Sequence, residues 1–200
     1  MEDQFKAVEI GPRSSSVIEL VKDFDWHKDK AILLEKDPSW LETMAQLYKK
    51  NPNLKPLIAD GSKMPLPNDT AELIFSKDLF CSHGVETILP DGQFSGKPSV
   101  IEIDKIAQES YRVCEAGGQV IILETAIPYG KNSQALSEEI INTYIRAGFR
   151  LQDHHIGADI NNIFKKGIDG STGEDNFALV FIKPSPPEEN PDPPVFPARR

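Results

Sequence analysis

Acidic residues and glycines recur in this sequence just after short apolar runs. In a sheet of parallel strands, those are the positions where ligand chemistry concentrates. The run Ala7-Val-Glu-Ile10 leads into Gly11-Pro12-Arg13-Ser14-Ser15-Ser16. A glycine there permits a tight turn into a helix N-terminus, whose N–H groups attract negative groups. Glu35 closes a second run, 24 positions beyond Gly11. A carboxylate at that place can accept both hydroxyls of a ribose. Asp60-Gly61 follows a third run and Ser76-Lys77-Asp78 a fourth. Beyond the fourth, His83 is the leading candidate for a general base and Asp78 the next. Cys81 has no adjacent base pattern to activate its thiol. The pair His154-His155 suggests metal only weakly. Each residue also has a bland reading: a strand-end glutamate is usually solvated, an aspartate can cap a turn, and a loop histidine is commonly a surface residue.

The elements that position these residues follow from apolar periodicity. Short runs bounded by turn residues fit strands buried on both faces: Ala7–Ile10, Ala31–Leu34, a weaker Leu57-Ile58, Leu73–Phe75 and Val120–Leu123. Helical patterns lie between them. Ser16-x-x-Glu19 resembles a capping box, with Val17, Leu20 and Val21 on one face. Asp37-Pro38 reads as N-cap and first helical residue, followed by a stripe of Trp40, Leu41, Met44, Leu47 and Tyr48. Ser99-x-x-Glu102 opens a helix with Ile103, Ile106, Ala107, Ser110 and Cys114 on a face. Leu136, Ile140, Ile141, Tyr144 and Ile145 form another stripe, stopped at Gly148. Phe149–Ile156 and Phe177–Ile182 read as strands without a good helix between them, which suggests that the last strand is inserted antiparallel. The fold class is therefore α/β, a doubly wound and mostly parallel sheet.

The chain has 200 residues, 31 acidic against 22 basic, and a net charge of −9. Length and a 39% hydrophobic content fit one folded soluble domain, expected over residues 1–183. Residues 184–200 hold seven of the 16 prolines and read as an extended or disordered tail. No apolar run approaches the roughly 18 residues of a membrane span, and no secretory signal is expected, since no basic stretch leads into an apolar one near residue 1. Cys81 and Cys114 are two thiols of the reduced, cytoplasmic kind. The acidic balance disfavours a nucleic-acid partner.

The segment Ala59-Asp60-Gly61-Ser62-Lys63-Met64-Pro65-Leu66-Pro67-Asn68-Asp69-Thr70-Ala71-Glu72-Leu73-Ile74-Phe75-Ser76 resembles the class I S-adenosylmethionine-dependent methyltransferases. In that family it is usually seen as Asp-Ala-x-x-Leu-Pro-Phe-x-Asp-x-x-Phe-Asp before the fourth strand. Glu115-Ala-Gly117-Gly118 followed by Gln119–Glu124 resembles the family's Lys-Pro-Gly-Gly turn into the fifth strand. Arg146-Ala-Gly-Phe149 resembles the sixth-strand entry, and Leu34-Glu35-Lys-Asp-Pro38 the acidic end of the second strand. The match runs in order over about residues 6–183 and implies a Rossmann-like sheet of order 3-2-1-4-5-7-6 with strand seven antiparallel. It also implies S-adenosylmethionine as cofactor, with Glu9 and Gly11 beside its amino-acid end. Glu35 would hold the ribose hydroxyls with Lys36 nearby, and Asp60 would accept from the adenine amino group with Gly61 against the ring. Ser76 and Lys77 would line the floor beyond strand four.

Two departures from the family pattern bear on activity. Its first loop is Gly-x-Gly-x-Gly; here Gly11 remains, and Arg13 and Ser15 replace the next two glycines. Arg13 either pairs with the cofactor carboxylate or fills the pocket. The family usually has a lid segment before the first strand, which here is expected about six residues in, so the lid's task is expected to fall to the Ser82–Ser99 or Gly157–Gly173 loops or to a partner protein. The leading expectation is methyl transfer to a small molecule or a partner protein. The rivals are an inactive methyltransferase-like scaffold and a nucleotide-dependent oxidoreductase. The latter is disfavoured because Gly11-Pro-Arg-Ser-Ser-Ser is not Gly-x-Gly-x-x-Gly.

Overall fold

The structure, a computed structural model, describes residues 5–12, 21, 24–25, 27–49, 51–80, 86–88, 94–98, 102–125, 133–162, 164 and 176–186. Its main sheet has seven strands, numbered along the chain: β1 Ala7–Ile10, β2 Ala31–Glu35, β3 Leu54–Ile58, β4 Ala71–Lys77, β5 Cys114–Glu124, β6 Arg150–Ile156 and β7 Phe177–Ile182. Their order across the sheet is 3-2-1-4-5-7-6. The pairings among β1–β5 are parallel, and β7 runs antiparallel to both β5 and β6. This is the expected architecture. A separate antiparallel hairpin pairs Glu86–Ile88 with Phe94–Pro98.

The central strands are continuous apolar runs because both faces are covered, and every residue of β1 and β2 is buried. Pleating divides them between two cores. Val8, Ile10, Ile32, Leu34, Ile74, Val120, Ile122, Leu179 and Phe181 pack with Ile103, Ile106, Ala107, Leu136, Ile140 and Tyr144. Those last residues come from α2 (Ile103–Val113) and α3 (Ser133–Ala147). Ala7, Leu33, Leu73, Phe75, Ile121, Leu123, Ala178 and Val180 form the other core with Val21, Phe24, Ile160 and Phe164, and Trp40 packs against it. Trp40 belongs to α1 (Pro38–Tyr48). That helix begins as its sequence requires: Pro38 is its first residue, and Asp37 Oδ1 accepts from Ser39 N at 2.9 Å and Ser39 Oγ at 2.7 Å. α3 ends at Gly148, whose φ is +111° and whose Cβ, if present, would lie 2.7 Å from the Tyr111 ring.

Four expectations are corrected. β5 begins at Cys114, well before Val120, so Cys114 opens a strand and is not on the α2 face. Residues 115–118 swell the ladder between the Ala71–Cys114 and Leu73–Gln119 pairs. Gly117, with φ +82°, donates to Lys183 O at 2.9 Å, and Lys183 N donates to Gly118 O at 3.0 Å. The end of β7 therefore holds a segment with no strand propensity of its own. β3 begins at Leu54, because an edge strand tolerates Pro56. Ile145 is half exposed, and Thr143 takes the buried position on α3. α2 has Glu102 as N-cap without a side-chain capping bond; Ser99 lies outside the described residues. So do residues 16–20 of the first expected helix and residues 187–200 of the tail. Among the described residues, no helix is long and apolar enough to cross a membrane.

Candidate functional site

β1 lies between β2 and β4. The chain leaves β1 for one side of the sheet and returns to its other side, so the carboxyl ends of β1 and β4 flank the switch in strand order. Ile10 stands opposite both Leu34 and Ser76. Gly11 follows with φ +69° and donates to Leu34 O at 2.8 Å; its Cβ, if present, would lie 3.1 Å from Leu79 Cδ1. Most residues other than glycine, Asn and Asp take this conformation at a cost of about 1–2 kcal/mol.

Glu35 ends β2 and is only 6% exposed. Its Oε1 accepts from Asp37 N at 3.0 Å, tying it to the start of α1. Its Oε2 is buried and has no hydrogen-bond partner among the described residues. A buried acceptor left in that state costs about 1–3 kcal/mol.

The loop after β3 brings Asp60 next to Lys36. Asp60 Oδ2 pairs with Lys36 Nζ at 2.6 Å, and Oδ1 accepts from Ser62 N at 2.9 Å and Ser62 Oγ at 2.7 Å. Burial alone would raise the Asp60 pKa, but Lys36 and Ser62 outweigh it and hold the carboxyl at about 2. A Cβ on Gly61 would lie 2.6 Å from Ile10 Cγ2, so glycine lets this loop close on the end of β1.

β4 ends in a different kind of arrangement. Ser76 is buried opposite Ile10 and Ile122. Lys77 Nζ pairs with Asp78 Oδ2. Asp78 has φ +51° and donates its N–H to Leu123 O at 2.8 Å. Its Oδ1 accepts from Thr125 N at 2.5 Å, and Thr125 Oγ1 lies 3.1 Å from both carboxylate oxygens. Phe80 N donates to Glu124 Oε1 at 2.9 Å. Asp78 therefore clamps the end of β4 to the end of β5. With both carboxylate oxygens engaged by Thr125 and Lys77, Asp78 has a holding task in this geometry.

The remaining expected residues either stand apart from this group or lie outside the described residues. Glu9 is fully buried on the face that carries Ala7, Leu33 and Phe75. Arg13, Cys81 and His83 lie outside the described residues. His154 and His155 are successive strand residues and point to opposite faces. Burial, then the charge of His155, lowers the His154 pKa. Among the described residues, no group of His, Cys, Asp or Glu is arranged to hold a metal. Cys114 is a buried thiol that burial pushes up to about 12, which makes it inert.

Sequence reasoning did not single out Thr125, Glu109 or Arg112. Thr125 is findable as the residue just past a parallel strand's end. The signal for the other pair is Glu-x-x-Arg in the last turns of α2, where residues three apart meet.

The sequence matches no family model and no curated protein. Solved structures share the fold. A chain of the Haloferax volcanii complex between the Trm112 methyltransferase activator and its candidate methyltransferase superposes with a TM-score of 0.61 at 14% identity, over 92% of this chain and 84% of that one. A SAM-dependent methyltransferase from Aquifex aeolicus gives 0.55 at 15% identity, over 90% and 82%. Haemonchus contortus phosphoethanolamine N-methyltransferase 2, in complex with S-adenosyl-L-methionine, gives 0.60 at 13% identity, over 92% of this chain and 50% of that one. The chain has the Rossmann-like fold of class I S-adenosylmethionine-dependent methyltransferases.

Proposed function

We propose that this protein binds S-adenosylmethionine across the carboxyl ends of β1–β4 and transfers its methyl group to a small molecule or a partner protein. The observation that carries the reading is Glu35: a buried carboxylate oxygen without a partner among the described residues, at the end of the strand beside β1. A ribose hydroxyl would complete it. Gly11 and Gly61 keep the backbone close on either side, where added side chains would meet Leu79 and Ile10.

In this reading Glu35 accepts from the ribose hydroxyls and stays anchored by Asp37 N. Asp60 is kept ionised by Lys36 and Ser62, so it can accept from the adenine amino group; the exposed Lys36 is the partner that yields. Gly11 stands toward the amino-acid end, while Glu9, fully buried, supports the strand beneath it; Arg13 either pairs with the cofactor carboxylate or fills the pocket. Ser76 and Lys77 form the floor, held in place by the Asp78–Thr125 clamp. The cofactor supplies an electrophilic methyl group. The protein supplies alignment of the acceptor, the main source of rate in a direct displacement, with His83 as the base. The Trm112 complex supports an activator protein as partner, and the reading places the enzyme in the cytoplasm.

One observation favours a scaffold that kept the fold without the chemistry: the carboxylate next to the floor, Asp78, is already committed to Thr125 and Lys77. Thermal unfolding with and without S-adenosylhomocysteine separates the readings. A ligand at about a hundred times its Kd stabilises a folded protein by roughly 2.7 kcal/mol, so the expected result is a clear rise in Tm. Labelled methyl transfer to an extract then separates enzyme from binder.

A further inference from the structure

The loop from Asp60 to Thr70 has internal bonds only near its two ends, Ser62 and Lys63 to Asp60 and Thr70 Oγ1 to Pro67 O. Two side chains near the end of α2 hold it. Arg112 Nη1 donates to Leu66 O at 2.7 Å and to Asn68 Oδ1 at 2.9 Å, and Nη2 donates to Met64 O at 2.9 Å. Glu109 Oε2 accepts from Met64 N at 2.8 Å. The two side chains are locked to each other, Arg112 Nε to Glu109 Oε1 at 2.9 Å and Nη2 to Oε2 at 2.7 Å. The Arg112 guanidinium lowers the Glu109 pKa, so the carboxylate stays charged. The backbone adds Asp69 N to Arg112 O at 3.0 Å and Thr70 N to Val113 O at 2.8 Å. Between these points Met64 is buried in the first core. The Asp60 turn stands directly upstream, with Lys63 N donating to Asp60 O at 2.9 Å.

We propose that Glu109 and Arg112 form a latch that fixes the position of Asp60 and Gly61, making them specificity-determining positioning residues for the base of the bound nucleoside. The proposal rests on the reading of Asp60 as the adenine contact. Only a planar fork reaches several carbonyls while pairing a carboxylate, so lysine cannot replace Arg112. With the latch broken, the loop keeps its sequence and its Asx turn but loses its fixed distance from β1. Discrimination at the base then falls along with affinity.

The test compares S-adenosylhomocysteine with the analogue carrying a carbonyl oxygen in place of the adenine amino group. Wild type is expected to prefer the amino form by about tenfold or more, the worth of one hydrogen bond to a charged acceptor. In Arg112→Lys, affinity for the amino form should drop about tenfold and the preference should shrink to near unity. Glu109→Gln, which still accepts from Met64 N, should keep most of the preference, whereas Glu109→Ala should lose it. A purely structural role would lower Tm and leave the preference intact, and that result overturns the proposal. Hydrogen exchange without ligand supplies an independent arm: Ser62, Lys63 and Met64 amides should exchange faster in Arg112→Lys while α2 stays protected. Unchanged exchange at these amides also overturns the latch. Failure of wild type to bind either nucleoside instead removes the adenine reading, and the specificity claim with it.

Discussion

The carboxylates at the ends of β2 and β4 are treated in opposite ways. Glu35 makes one bond, to Asp37 N, and buries its other oxygen without a partner among the described residues. Asp78 engages both oxygens with Thr125 and Lys77 and takes a left-handed backbone conformation to do so. A buried acceptor lacking a partner is unfavourable in the folded chain alone and becomes favourable once something donates to it. A carboxylate saturated by part-buried partners, as Asp78 is, stabilises the chain and has little left for a ligand; Asp60 differs because its Oδ2 is held by the exposed Lys36, which can yield. On the proposed reading, this difference gives Glu35 a part in recognition and Asp78 a part in support.

The strongest way to break this contrast is Glu35→Gln. The amide keeps the bond to Asp37 N but presents a donor where a ribose hydroxyl needs an acceptor. Affinity for S-adenosylhomocysteine should fall by about 10- to 100-fold, since bonds to charged groups are worth roughly 1.5–3 kcal/mol. Tm should hold or rise, because a buried charge is removed. Asp78→Ala should do the reverse, costing about 2 kcal/mol of stability in denaturant titration through the lost Thr125 bonds. Asp78→Asn retains one acceptor and tolerates the left-handed region, so its cost should be smaller. A matching loss of binding in Glu35→Gln and Asp78→Asn would erase the distinction.

Gly11→Ala sharpens the comparison at the strand between these two. It should destabilise by about 1–2 kcal/mol through the positive φ, with Leu79 giving way by a few tenths of an ångström. The smallest effect concerns pH. Asp60 is held at about 2, against an ordinary value of 3.8. Its folded pKa lies below its unfolded one, so its stabilisation is complete above about pH 4 and disappears as pH falls toward about 2. Wild type should therefore melt slightly above Asp60→Asn at neutral pH, and the two curves should converge at the acid end. Lys36 is largely exposed, so solvent screens the pair and the margin is small.

Much of the frame was legible because buried parallel strands announce themselves. Ala7–Ile10 and Phe177–Ile182 are read to the residue, each an apolar run bounded by turn-forming residues. Asp37-Pro38 marks the start of α1 because its capping chemistry is local. What escaped depends on distant partners. Residues 115–118 join β5 only because Lys183 pairs with Gly117 and Gly118, and no local pattern contains that. Ile145 fits the helical stripe, yet α3 turns Thr143 inward instead. At the site, Glu35 and Asp60 were visible as strand-end carboxylates, whereas their opposite states, one incomplete and one satisfied, are set by Lys36, Ser62 and the course of α1. The Glu109–Arg112 latch acts on residues 45 and 48 positions away, beyond any spacing rule.

The most direct test is calorimetric titration of the folded protein with S-adenosylhomocysteine, wild type beside Glu35→Gln. The expected result is a micromolar Kd for wild type, about −8 kcal/mol, and a marked loss in the variant. Equal affinities would contradict the role given to the buried Glu35 oxygen, and no heat at several temperatures from a protein shown to be folded would contradict the pocket itself.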